Sequence, residues 1–83
     1  MDAREKIRNH IVELLKKKGD NAPFQDDESL IASGRLDSMS VMQVIAFLHK
    51  GLGIDISEIE FDVEKFDSLD RIMALLSEIA RAA

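Results

Sequence analysis

Apolar residues return at helical spacing three times in this chain, and no stretch of useful length alternates as a strand does. Ile7, Ile11, Leu14 and Leu15 fall at i, i+4, i+7 and i+8, one face of a helix over 3–18. Asp2 suits its N-cap, Lys16, Lys17 and Lys18 suit its negative end, and Gly19 stops it. A second helix opens at Asp37 as N-cap and ends near Gly51, with Gly53 close behind. At about 100° per residue, Val41, Val44, Ile45, Leu48 and Leu52 gather on its core side. Leu69, Ile72, Met73, Leu76, Ile79 and Ala80 mark a last helix from Asp67 or Ser68 to Arg81. Between the first two helices, 19–36 reads as a long loop with Pro23, Gly19 and Gly34. Phe24, Leu30, Ile31 and Leu36 are its candidate anchors, and 28–33 could make one helical turn. Ser57 to Glu64 form an acidic linker pinned by Phe61 and Val63, and 63–66 suits a short third helix. The expected fold is all-α: a four-helix bundle with three longer helices and a short third one.

A chain of 83 residues is the size of one domain, here 1–83. It has no tryptophan or tyrosine and four phenylalanines, so the core must be built from aliphatic side chains and methionine. It has no cysteine, which excludes disulfides and cysteine-held metals and fits a reducing, cytoplasmic setting. Any thiol chemistry would need a thiol brought by a cofactor. The net charge of −5 disfavours nucleic acid and favours a basic partner surface. No apolar run reaches the roughly 18 residues of a membrane span, and the charged N-terminus lacks the apolar block of a signal peptide. Nucleophile-elbow, phosphate-loop and metal-ligand spacings are missing, which argues against an enzyme. His10 and His49 read as surface residues. The acidic stretch from Asp55 fails as a calcium loop, because Ile59 and Glu60 stand where an oxygen ligand and a glycine are needed.

Chemistry concentrates in Gly34-Arg35-Leu36-Asp37-Ser38-Met39. A glycine-containing loop there delivers a serine to the first turn of a helix, beside an apolar stripe of Met39, Met42 and Ala46. Unpaired N–H groups and the positive end of the helix dipole favour a phosphate on Ser38, and Asp37 caps the helix next to it. The stripe lies away from Val44 and Leu48 and reads as a partner-binding surface, with burial in the core as the alternative. Asp67-Ser68-Leu69 repeats the same local chemistry at the last helix, without the preceding glycine loop or the following stripe. Ser68 is therefore read as an N-cap.

The Asp37-Ser38-Met39 stretch resembles the attachment site of acyl and peptidyl carrier proteins, in which Asp-Ser-Leu or Asp-Ser-Met opens the second helix. The likeness extends over Leu30, Gly34, Val41, Val44, Phe47-Leu48, Leu52-Gly53-Ile54-Asp55-Ile56, Phe66, Ser68, Leu69 and Ile72. It implies the four-helix bundle of acyl-carrier type and a covalent 4'-phosphopantetheine arm on Ser38. A phosphopantetheinyl transferase would draw the arm from coenzyme A, with the Ser38 hydroxyl attacking the pyrophosphate and Mg²⁺ held mainly by the transferase. The chain would carry acyl groups as thioesters and deliver them to partner enzymes in fatty-acid, lipid or secondary-metabolite synthesis. Its partners would be acyl or aminoacyl ligases and acyl-transferring enzymes, and it would work as a monomer. By the same likeness Val41, Ile45, Leu48, Ile56, Phe61, Leu69 and Met73 could line a space for a fatty chain, against a plain packed core.

Two departures matter. The family's second helix commonly bears glutamates, whereas none lies between Ser38 and Gly51, which hold Gln43, His49 and Lys50 instead. The acidity sits in Asp26, Asp27 and Glu28 and in Asp55, Glu58, Glu60, Asp62 and Glu64. The linker after Ile56 is also longer than in fatty-acid carriers and looks like that of D-alanyl and other aminoacyl carriers. An amino acid is thus the alternative cargo, and an unmodified helical interaction module docking through the methionine stripe is the non-carrier alternative.

Overall fold

The computed structural model describes residues 3–54 and 62–82. It contains α1 (Ala3–Lys17), α2 (Ser38–Leu52), one turn of 3₁₀ helix (Val63–Phe66) and α3 (Leu69–Ala82), with no strand among the described residues. The fold is the expected helical bundle, and its short third helix is a single 3₁₀ turn. Asp2, Ile56, Phe61, Asp55, Glu58, Ile59 and Glu60 lie outside the described residues, as does most of the 57–64 linker.

Ile7, Ile11, Leu14 and Leu15 of α1 meet Val41, Val44 and Leu48 of α2 and Leu69, Ile72 and Leu75 of α3 in one core. Burying each such side chain contributes about 1.5–3 kcal/mol of transfer free energy, which offsets the chain entropy lost on ordering. Leu75 replaces one expected contact: it is buried, Leu76 and Ile79 are half-buried, and Ala80 is exposed. α2 runs past Gly51 to Leu52. Gly51 stays helical because its missing Cβ leaves room for the Phe47 ring, which a Cβ would approach to 3.0 Å. The stop is Gly53, at φ 68°, whose N–H bonds to the Leu48 carbonyl. His10 is not a surface residue. Its ring stacks on Phe47 with centroids 4.3 Å apart, half-buried between α1 and α2.

The long loop is tied down at both ends. Phe24, Leu30 and Leu36 are buried in the core. The helical turn expected over 28–33 is instead a hydrogen-bonded turn over 30–34, closed by Gly34 N–H to the Ile31 carbonyl at 3.0 Å. Asp67 accepts from Ser29 Oγ at 2.6 Å and from the Ile31 and Ala32 amides at 2.8 and 3.1 Å. Its own carbonyl accepts from Leu30 N–H at 2.7 Å, so the start of α3 holds the middle of the loop. These bonds, the Ser29 hydroxyl foremost, hold the Asp67 carboxyl below the usual carboxylate range.

Candidate functional site

The loop delivers Ser38 to the first turn of α2, where its residue is exposed. Asp37 precedes it in extended conformation, and Asp37 Oδ1 accepts the Ser40 N–H at 2.8 Å. That bond uses one of the four orphan amides of a helix start; the N–H groups of Ser38 and Met39 have no partner within the helical ladder. The Ser40 amide, helped by Lys18, lowers the Asp37 pKa to about 2. The cap is therefore a carboxylate throughout the physiological range.

Lys18, from outside the motif, and Arg35, within it, build this corner. Lys18, just past the end of α1, reaches across to place Nζ 3.1 Å from Asp37 Oδ2 and 3.3 Å from the Arg35 carbonyl. Arg35 faces the other way and gathers the loop. Its guanidinium donates to Asp20 Oδ2 and Oδ1 at 2.8 and 3.1 Å, to Glu28 Oε2 at 2.8 Å, and to the Ala22 and Pro23 carbonyls at 2.6 and 3.2 Å. Asp20 and Glu28 are both held below their ordinary pKa values, chiefly by these bonds, and the guanidinium is pushed further up. The approach to Ser38 is thus a cross-linked turn. From the sequence, Lys18 reads only as part of the basic end of the first helix and Arg35 carries no role; the one signal for Arg35 is a cation inside the 34–39 motif.

Part of the acidity of the loop is internal wiring. Asp26 pairs with Arg4 at 2.8 Å and with Arg8, while Glu28 belongs to Arg35. Met39 and Met42 are 72% and 56% exposed, and Ala46 is exposed beside them. They form an uncovered apolar stripe that begins next to Ser38, and the core alternative for them falls. Val41, Leu48 and Leu69 are fully buried, whereas Ile45 and Met73 are half-buried. Ser68 behaves as an N-cap: it is 5% exposed and its Oγ accepts the Arg71 N–H at 3.1 Å.

The corner can accept a phosphodiester on chemical grounds. It combines an exposed primary hydroxyl, helix-start amides without ladder partners, and an ammonium that offsets the neighbouring Asp37 carboxylate. Among the described residues no cluster of histidine, aspartate or glutamate could hold a metal, and no helix is long and apolar enough to cross a membrane.

Comparison with known proteins agrees with that chemistry. The family described as "Phosphopantetheine attachment site" matches residues 5–76. A D-alanyl carrier protein of Latilactobacillus sakei subsp. sakei (strain 23K) is 32% identical over 75 residues, covering 88% of this chain and 96% of the relative. One of Lacticaseibacillus rhamnosus is 30% identical over 78 residues, covering 92% and 96%. One of Streptococcus suis (strain 98HAH33) is 30% identical over 82 residues, covering 99% and 100%. No solved structure matches the chain.

Proposed function

The chain belongs to the phosphopantetheine-attachment family of carrier proteins, and from that premise we propose that it carries D-alanine, or a closely similar amino acid, on an arm attached to Ser38. Members of the family bear 4'-phosphopantetheine covalently and are carriers, not catalysts. The arm supplies a flexible thiol, on which cargo rides as a thioester. The protein's own task is then position and recognition. The observation that carries the attachment assignment is the exposed Ser38 hydroxyl at the first turn of α2, beside the Asp37 cap and within the matched segment.

Each local residue has a part in this reading. Asp37 fixes the start of α2 and so fixes where the serine oxygen points. Lys18 offsets the Asp37 charge, which would otherwise repel a phosphate on the next residue. Arg35 keeps the approach loop folded against itself, leaving the serine open to incoming enzymes. Met39, Met42 and Ala46 form the contact surface those enzymes would share. The partners in this scheme are a phosphopantetheinyl transferase and an aminoacyl ligase, met in turn by a monomeric single domain in the cytoplasm, where coenzyme A is at hand.

The cargo assignment favours the alternative from the sequence over fatty-acid or lipid synthesis. It rests on the D-alanyl carrier relatives, which align along nearly the whole chain, and on the longer linker after Ile56. The test is a two-step loading assay. Coenzyme A and a broad-specificity transferase should first add one phosphopantetheine. D-alanine, ATP and a D-alanine–carrier ligase should then add one D-alanyl group to the modified protein only. A fatty-acyl ligase should add nothing. An unchanged mass after the first step would leave the unmodified interaction module; fatty-acyl loading without D-alanyl loading would restore the lipid reading.

A further inference from the structure

Lys18 ends a run of three lysines, yet its side chain is committed to the corner that holds Ser38. It stands just past α1 and crosses 19 positions of chain to place Nζ 3.1 Å from Asp37 Oδ2, with the Arg35 carbonyl at 3.3 Å. An ammonium has three donors and no acceptor. Two of them lie on these oxygens, and the side chain is still 35% exposed, so the third is left for a further acceptor.

The other groups of the corner are already engaged. Asp37 Oδ1 takes the Ser40 amide at 2.8 Å, and Oδ2 takes Lys18. Arg35, the cation within the motif itself, faces Asp20, Glu28 and two loop carbonyls. Attachment of the arm replaces the neutral Ser38 hydroxyl by a phosphodiester. One negative charge thereby arrives on the residue next to an aspartate that is ionised throughout the physiological range. Consecutive Cα atoms are about 3.8 Å apart, and the phosphorus stands two bonds beyond the Ser38 Cβ. Its oxygens therefore swing through the space beside the Asp37 side chain, where the ammonium already sits. A bond from an ammonium to a phosphate oxygen is about twice as strong as one between neutral groups.

We propose that Lys18 is the protein's own ligand for the phosphodiester of the arm: it keeps its bond to Asp37 and gives its third N–H to a phosphate oxygen. This proposal rests on the carrier reading with Ser38 as the attachment point, and it holds whichever cargo the arm bears. In the unmodified chain Lys18 staples the end of α1 to the cap of α2. In the modified chain the same ammonium ties both to the root of the arm. The phosphate is then held on the α1 side of the corner, while the thiol end stays free to travel. Lys18 is a positioning residue in this scheme, since it touches the linkage and not the reacting thiol.

The experiment compares the unmodified and arm-bearing forms of the full chain for the wild type, Lys18→Gln, Lys18→Arg and Lys17→Gln, with intact mass confirming each form. A staple alone would lower the melting temperature of both forms of Lys18→Gln equally. The proposed bond makes the loss unequal. At low salt the arm-bearing form should lose about 2–5 °C more than the unmodified form, the size of an exposed charge pair in a domain of this length. That extra loss should shrink in about 0.5 M salt. Lys18→Arg, which keeps the charge and the donors, should recover most of it. Lys17→Gln removes the same charge from the exposed neighbouring residue and should show no extra loss. The phosphorus NMR resonance of the arm should move in Lys18→Gln and return toward the wild-type position in Lys18→Arg. Equal losses in the two forms of Lys18→Gln, an extra loss of the same size in Lys17→Gln, or a phosphorus resonance indifferent to Lys18→Gln would each overturn the proposal. A wild-type chain that gains no arm on Ser38 fails the carrier reading and takes the proposal with it, and the mass measurement shows this before any melt is compared.

Discussion

The chain holds two Asp-Ser-apolar segments, and exchanging each serine for alanine should separate modification from stability. Ser68 is 5% exposed and its Oγ takes the Arg71 N–H at 3.1 Å. Ser68→Ala removes that cap and leaves a helix-start amide unpaired in a nearly closed site, at a cost of about 1–2 kcal/mol. For 83 residues the unfolding entropy is roughly 0.17 kcal/mol per kelvin, so the melting temperature should fall by about 6–12 °C. Ser38 is exposed and caps nothing, since Asp37 does that work. Ser38→Ala should therefore melt within about 0.5 kcal/mol of the wild type. The two variants should behave oppositely toward a phosphopantetheinyl transferase: Ser68→Ala gains one arm at the wild-type rate, and Ser38→Ala gains none. Intact-mass measurement paired with calorimetry reads both. A modified Ser38→Ala protein, or a Ser68→Ala protein that melts with the wild type, would refute the division of roles.

Other consequences can be checked independently. Burial pushes the His10 imidazole below its ordinary value, with Lys17 adding to the effect and the Gln43 carbonyl opposing it. A folded pKa below the unfolded one means that this contribution is present above about pH 6.5 and fades as pH falls through the folded value. Melting temperature should thus drop between pH 7.5 and 5.5, and His10→Phe, which keeps the stack on Phe47, should flatten that slope; an equal slope in the variant would contradict the assignment. Arg35→Leu should speed amide exchange across 20–36 while α3 amides keep their protection, since the guanidinium joins Asp20, Glu28 and two carbonyls. Leu30, fully buried, should cost about 2–5 kcal/mol when cut to alanine, read as a lower urea midpoint at constant slope.

What the sequence revealed and what it concealed follow from the range of the interactions. The three long helices, the Asp37 cap, the uncovered methionines and the capping role of Ser68 all rest on spacings of a few residues, which periodicity and cap chemistry report directly. Leu75 escaped because a 3.6-residue stride from Leu69 lands on Leu76, whereas the core closes over Leu75 and leaves Leu76 half-buried. The end of α2 lies where the Gly51 and Gly53 pair puts it, with Gly51 still helical under the Phe47 ring and Gly53 as the cap. Lys18 with Asp37, Arg35 with Asp20, His10 with Phe47 and Asp67 with Ser29 join residues 15 to 38 positions apart. Such pairs leave no periodic trace. They are what gives the loop its fixed course, and so what places Ser38 where an enzyme can reach it.

The most direct test of the account is to map the site of modification on the protein treated with coenzyme A and a phosphopantetheinyl transferase. Fragmentation should find a single phosphopantetheine, on the peptide that contains Ser38, and the peptide that contains Ser68 should be bare. An arm on any other residue, or no arm after complete reaction of a control carrier, would contradict it.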